Sequence, residues 1–84
     1  LAVRVRYNLG LLLQQMGRLD EAEAVFLEAL AAAPDDLGVM YALADHLIKR
    51  GRTDEALALA ERMIAAHPDE QIGHDIKAYL QGGR

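Results

Sequence analysis

The chain has no cysteine and no tryptophan. Without cysteine, disulfide staples and thiolate metal sites are excluded, while the redox compartment stays open. Aromatic residues make up only 5 % of the chain, one phenylalanine and three tyrosines. None of them is interleaved with the short basic cluster Lys49-Arg50-Gly51-Arg52, so a nucleic-acid surface is not expected. A net charge of −4 argues the same way, against a general polyanion binder. Apolar runs such as Ala29 to Ala33 fall far short of the roughly 20 residues that span a bilayer, so no membrane association is expected. No glycine-rich phosphate loop follows a strand pattern, and no nucleophile has a base beside it. Neither a catalytic residue nor a cofactor is therefore assigned.

What the sequence does contain is a repeat. Pro34 and Pro68 close two copies of one pattern. Tyr7-Asn8-Leu9-Gly10, Gly17-Arg18-Leu19-Asp20-Glu21-Ala22 and Ala31-Ala32-Ala33-Pro34-Asp35 recur as Tyr41-Ala42-Leu43-Ala44, Gly51-Arg52-Thr53-Asp54-Glu55-Ala56 and Ala65-Ala66-His67-Pro68-Asp69. Such periodicity replaces one globular core with stacked units, each burying its apolar face against its neighbours.

Within a copy the pattern reads as two helices. Val5, Leu9, Leu12, Leu13 and Met16 follow the spacing of a buried helical stripe. Gly17 supplies the left-handed exit that ends a helix. Asp20 is placed to cap the next helix, with Glu23 completing a capping-box-like pair. Ala22, Val25, Phe26, Ala29 and Leu30 form the stripe of that second helix, and Pro34 follows its end. In the second copy Gly51 is the break and Thr53 or Asp54 the cap. Ala22 and Ala56 are expected to stay small because helix backbones cross there, where overpacking costs about 1–3 kcal/mol. After Pro68 the copy fails. A helix opening at Asp69 or Glu70 keeps one apolar stripe, Ile72, Ile76 and Leu80, while Gln71, Asp75, Lys77 and Gln81 face water, as a terminal cap should.

The expected fold class is all-α: an α-solenoid of two helix-turn-helix units plus a capping helix. It forms a single domain over 1–81, with repeats at about 3–36 and 37–70, a cap at 70–81 and a frayed tail at 82–84. Its expected core is Leu9, Leu13, Ala22, Phe26, Leu43, Leu47, Ala56 and Ile76. Three repeats are the usual minimum for a stable solenoid. The chain also opens on Leu1 rather than methionine, and no secretory-signal pattern is visible. It is expected to be a piece of a longer protein, soluble, with the cytoplasm favoured over other compartments.

The polar candidates have plain readings. His67 precedes a proline at a helix exit and His74 starts another helix, with no i, i+4 pair, so they and Asp75 are surface residues rather than a metal site. Asp45 and His46 are adjacent on a helix, point about 100° apart and cannot act as an acid–base pair. Asp45 pairs instead with Lys49, one turn on. The Lys49–Arg52 cations suit a helix C-terminus.

The period and the Leu9-Gly10, Ala22, Phe26, Pro34 frame resemble the tetratricopeptide repeat, whose pattern is W-x2-L-G-x2-Y, A-x3-F and P. The second copy matches through Leu43, Ala56 and Pro68, with Ala44 in the glycine slot and Ala60 in the aromatic slot. Arg6 and Met40 fill the tryptophan slots, Leu13 and Leu47 the tyrosine slots. The resemblance covers residues 3 to about 70 and implies a non-catalytic protein-interaction module. Its partner would be a peptide or protein segment lying in a concave groove of the A helices, the first helix of each repeat. The residues that match ligand-facing positions are Arg4, Tyr7, Leu11, Gln14 and Gln15, then Gly38, Tyr41, Asp45, Ile48 and Lys49, with His74 and Ala78 as a rim from the cap. Tyr7 and Tyr41 would form a two-ring ladder; the competing reading packs both at the helix seam. Members that grip a C-terminal carboxylate use lysines and asparagines, but here those slots hold Tyr7, Tyr41, Leu11 and Ala42, and Asn8 alone survives. The groove therefore suits an apolar or mixed peptide. The alternative role is a structural tail that packs on another domain of the same polypeptide or self-associates. The leucine-rich first helix, carrying Leu1, Val3, Val5, Leu9, Leu11, Leu12 and Leu13, would support a weak homodimer.

Overall fold

A computed structural model describes residues 2–82. It forms five α-helices: α1 (Val3–Gln15), α2 (Leu19–Ala32), α3 (Leu37–Lys49), α4 (Thr53–Ala66) and α5 (Gln71–Gly82). No strand occurs among the described residues. Each helix packs on the next in the chain, α1 on α2 through to α4 on α5. The result is a slab of 32 × 24 × 15 Å. Helices α1, α3 and α5 occupy the A positions of the repeat; α2 and α4 are its B helices.

The exits from α1 and α3 are built alike. Gly17 and Gly51 take φ of 78° and 77°, which only glycine adopts without strain. The amide after each glycine reaches back over the turn: Arg18 N–H donates to Leu13 O and Arg52 N–H to Leu47 O, both at 2.9 Å. The glycine amides bond to Gln14 O and Ile48 O, so two carbonyls of each last turn are satisfied by the exit itself.

The helix entries differ from the capping expected of Asp20, Thr53 and Asp54. The N-cap residues of α2 and α4 are Arg18 and Arg52, and neither helix has a side-chain cap bond. Each arginine instead forms a fork onto the glutamate three residues later. Arg18 Nε and Nη2 donate to Glu21 at 2.6 and 2.7 Å. Arg52 Nε and Nη2 donate to Glu55, both at 2.8 Å. Each fork ties the N-cap residue to the first turn, and the glutamate sits where the helix dipole favours an anion. The side-chain cap that does form is on α3, where Asp36 accepts from Val39 N at 3.0 Å.

Seven of the eight expected core residues are buried: Leu13, Ala22, Phe26, Leu43, Leu47, Ala56 and Ile76. Leu9 is only half-buried against them. The Val5–Met16 stripe also divides: Leu13 is buried, whereas Val5, Leu12 and Met16 are 49, 51 and 54 % exposed. The second repeat explains why. Val39 and His46, one period after Val5 and Leu12, are buried where α2 lies against α3, and no described helix precedes α1 to do the same.

The crossing of α1 on α2 depends on Gly10. A Cβ there would fall 2.7 Å from Phe26 Cδ1 and Cζ, and closer still to Cε1. The second repeat solves the same contact in the opposite way, with Ala44 facing an aromatic slot that holds Ala60, both fully buried. At the far end Gly73 lets α5 approach α4; a Cβ there would stand 3.0 Å from Met63 Cβ. Helix α5 buries Ile76 and half-buries Ile72 and Leu80. Gly82 belongs to α5 rather than to a frayed tail, and Gly83 and Arg84 lie outside the described residues.

Candidate functional site

Three hollows open between the A helices. The first, of about 360 Å³, lies between the N-terminal halves of α1 and α3, with Val3, Arg4 and Tyr7 on one side and Asp36, Gly38 and Val39 on the other. Towards the C-terminal ends of the same two helices, Leu11, Gln14 and Gln15 face His46, Lys49 and Arg50 across a hollow of about 410 Å³, with Leu19 at its edge. The third, about 390 Å³, separates α3 from α5. Tyr41, Asp45, Ile48 and Lys49 line its α3 side and Ile72, Asp75, Ile76 and Tyr79 its α5 side.

The nine residues Arg4, Tyr7, Leu11, Gln14, Gln15, Tyr41, Asp45, Ile48 and Lys49 all line these hollows, as does Gly38. Tyr7 and Tyr41 fall in different ones. Tyr7 is half-buried against the core, and Tyr41 is 42 % exposed. On the capping helix the expected rim is displaced: Ile72, Asp75, Ile76 and Tyr79 face the hollow, not His74 or Ala78. His74 turns back to its own entry loop, with Nε2 3.3 Å from Pro68 O. His67 similarly bonds the carbonyl of Asp35, helped by Arg62 Nη2 donating to Pro34 O at 3.1 Å. The second B helix thus ties down the loop that leads into α3. Among the described residues, no group of three or more His, Cys, Asp or Glu could hold a metal ion.

Asp45 and Lys49 pair at 2.9 Å, as the one-turn spacing predicts. That bond raises the lysine pKa from its ordinary value.

Behind the second hollow lies a network that sequence reasoning missed. His46 is 1 % exposed, edge-on to Phe26 with ring centroids 5.7 Å apart. Gln14 Nε2 lies 2.8 Å from His46 Nδ1. An amide nitrogen only donates, so Nδ1 accepts and the neutral ring carries its proton on Nε2. That nitrogen stands 3.6 Å from Glu23 Oε1, beyond hydrogen-bond length. Glu23 is itself held by Arg52 Nη1 at 2.6 Å and Arg50 Nη1 at 3.2 Å, and Arg50 also reaches Asp20 at 2.9 Å. Asp20 and Glu23, expected to cap α2, therefore bridge it to the end of α3. Burial lowers the His46 pKa; the Glu23 charge opposes this, and the Arg50 and Arg52 charges reinforce it. The sequence does carry a signal for the pair. His46 stands one period after Leu12, and Glu23 one period before Leu57, so each is a polar residue in a slot where the other copy has leucine.

With this geometry in place, the family assignment is direct. The sequence model of the tetratricopeptide repeat matches residues 13–80, most of the chain, and the chain belongs to that family. Members are in general non-catalytic scaffolds that bind proteins or peptides. A search of curated proteins finds no match. No described helix is long and apolar enough to cross a membrane.

Proposed function

We propose that this chain is a non-catalytic interaction module that binds a peptide or partner segment along the groove of α1, α3 and α5. One observation carries the reading: two hollows lie between α1 and α3 and a third between α3 and α5, and each mixes apolar with polar lining residues. A run of shallow mixed sites suits an extended chain, which presents side chains at intervals, better than a compact small molecule, which favours one enclosed cavity. Tyr7 and Tyr41 serve as anchors, since tyrosine offers apolar area at low entropic cost and a polar tip.

The test uses peptides selected from a random display library on the folded protein. Tyr7→Ala and Tyr41→Ala should each weaken the selected peptides while leaving the urea midpoint nearly unchanged. Equal retention by the double variant removes the groove; unfolding of both single variants supports a purely structural seam.

A second reading, the structural tail, draws on the exposed Val5, Leu12 and Met16 face of α1. That face offers packing area for another domain or a second copy, and its occupation does not compete with the groove.

A further inference from the structure

Resting on that reading of the A-helix groove, we propose that the hollow between α3 and α5 takes one basic side chain, lysine or arginine, of an extended peptide. The sequence pattern points to α3 here but not to α5, because it selects His74 and Ala78 rather than the residues that face the hollow. Three properties of the lining converge on this ligand. Its apolar part, Ile48, Ile72 and Ile76, suits the methylene stem of a long side chain. Two tyrosines, Tyr41 and Tyr79, are 42 and 64 % exposed and present the aromatic area that attracts a cation. Two carboxylates, Asp45 and Asp75, complete it.

Charge decides between occupants. An aliphatic side chain would cover Asp75 without giving it a charged partner, which disfavours it. An acidic one would meet both aspartates as like charges. The lysine that lines the hollow, Lys49, is already spent on Asp45 in an exposed one-turn pair, which leaves Asp75 the uncompensated charge. Asp75 accepts only an uncharged bond from Gln71 Nε2, at 3.1 Å. The neighbouring hollow between the C-terminal ends of α1 and α3 offers no carboxylate in its lining, and its Lys49 and Arg50 are already paired with acids outside it. A basic residue therefore finds a carboxylate in the α3–α5 hollow and none in the lining of the next one, which favours one register of a bound chain.

The experiment is a nuclear magnetic resonance titration of the isotope-labelled protein with three end-capped alanine-based pentapeptides. Their central residue is arginine, citrulline (its uncharged isostere) or leucine. The arginine peptide should shift resonances of Tyr41, Ile72 and Tyr79 and bind about tenfold more tightly than the citrulline peptide. The preference should shrink with added salt and in Asp75→Asn. Lys49→Ala, which frees Asp45, should strengthen it. Arginine and citrulline peptides binding alike, or leucine binding best, would overturn the basic-residue assignment and leave the groove intact. Shifts confined to Arg4, Tyr7 and Leu11 would do the same. If none of the three peptides perturbs any A-helix residue, this assignment falls, and the library selection judges the groove separately. Shifts at Tyr41 and Tyr79 that depend on protein concentration instead of added peptide would make the occupant a second copy of the chain, and would equally refute it.

Discussion

The contact between Gly10 and Phe26 can be tested by a two-residue cycle whose outcome the second repeat anticipates. A methyl group on Gly10 would lie 2.7 Å from two ring carbons of Phe26, against the roughly 3.5–4.0 Å of a comfortable carbon contact. Phe26 is fully buried and also meets His46 edge-on, so the ring cannot withdraw without disturbing α3. Gly10→Ala should therefore incur the upper part of the overpacking range, about 3 kcal/mol. Better helix propensity returns about 1 kcal/mol, for a net loss near 2 kcal/mol. Phe26→Ala alone should cost roughly 3–5 kcal/mol, which would largely unfold so small a chain. In the Phe26→Ala background the clash is gone and only the propensity gain remains, so Gly10→Ala becomes stabilising by about 1 kcal/mol. The double variant recreates the Ala44–Ala60 arrangement of the second repeat. Urea unfolding followed by far-ultraviolet circular dichroism, with a stabilising osmolyte for the weakest variants, gives all four corners. Additive effects within about 0.5 kcal/mol would refute the contact as described, and so would a neutral Gly10→Ala in the parent chain.

Three further perturbations address the network and the open face. Glu23→Gln should destabilise by about 1–3 kcal/mol, because it strips the shared partner from Arg50 and Arg52; an unchanged urea midpoint would show that the network adds nothing. The native pKa of His46 lies below its unfolded value near 6.5, so the unfolded chain takes up its proton first. Its share of stability should be complete above that pH and fall as pH drops below it, by at most about 1.4 kcal/mol per pH unit, and His46→Gln should abolish that slope. Glu23→Gln should lower the His46 pKa further, read from the ring resonances, because the Glu23 charge holds it up. Finally, the chain should self-associate weakly through α1. Light scattering over a hundredfold concentration range should show mass rising towards a dimer, and Leu12→Glu should hold it monomeric; a strict monomer at high concentration would end the idea.

Much of the fold was legible because the signals that set it are local and written twice. Gly17 and Gly51 announce helix exits in sequence alone, and the structure gives both a positive φ and the same pair of return bonds. Alanine at 22 and 56 marked the close crossings, and both are fully buried. The entries were misread for a physical reason. Capping statistics favour Asp and Thr, but the helices start earlier, with Arg18 and Arg52 at the N-cap, each forked onto the glutamate three residues on, and Asp20 bonds across to Arg50 instead. Gly73 was passed over because its role shows only when α5 is laid on α4.

The hollows expose a second limit, which concerns neighbours rather than local geometry. The family resemblance implies which face of α1 and α3 turns to the groove, and all ten residues it marks there, Gly38 included, line a hollow. It does not do so for α5: His74 and Ala78 stand only 33 residues after Tyr41 and Asp45, whereas Asp75 and Tyr79, which face the hollow with Ile72 and Ile76, keep the full 34-residue period. Nor can it say what a stripe residue meets. Val5 and Val39 occupy one slot of the pattern, yet one is half in water and the other buried, because among the described residues the second alone has a B helix packed before it. The departures from repeat identity carry this information. Where the first copy has Leu12 the second has His46, and where the second has Leu57 the first has Glu23. Those two polar substitutions lie on α3 and α2, the helices that join the repeats, and they meet there across 3.6 Å. An ion network tolerates little misalignment, whereas two leucines can slide. In this solenoid the identical positions set the unit, and the mismatched ones set how one unit sits on the next. That angle in turn fixes the spacing of the hollows that a bound chain would have to match.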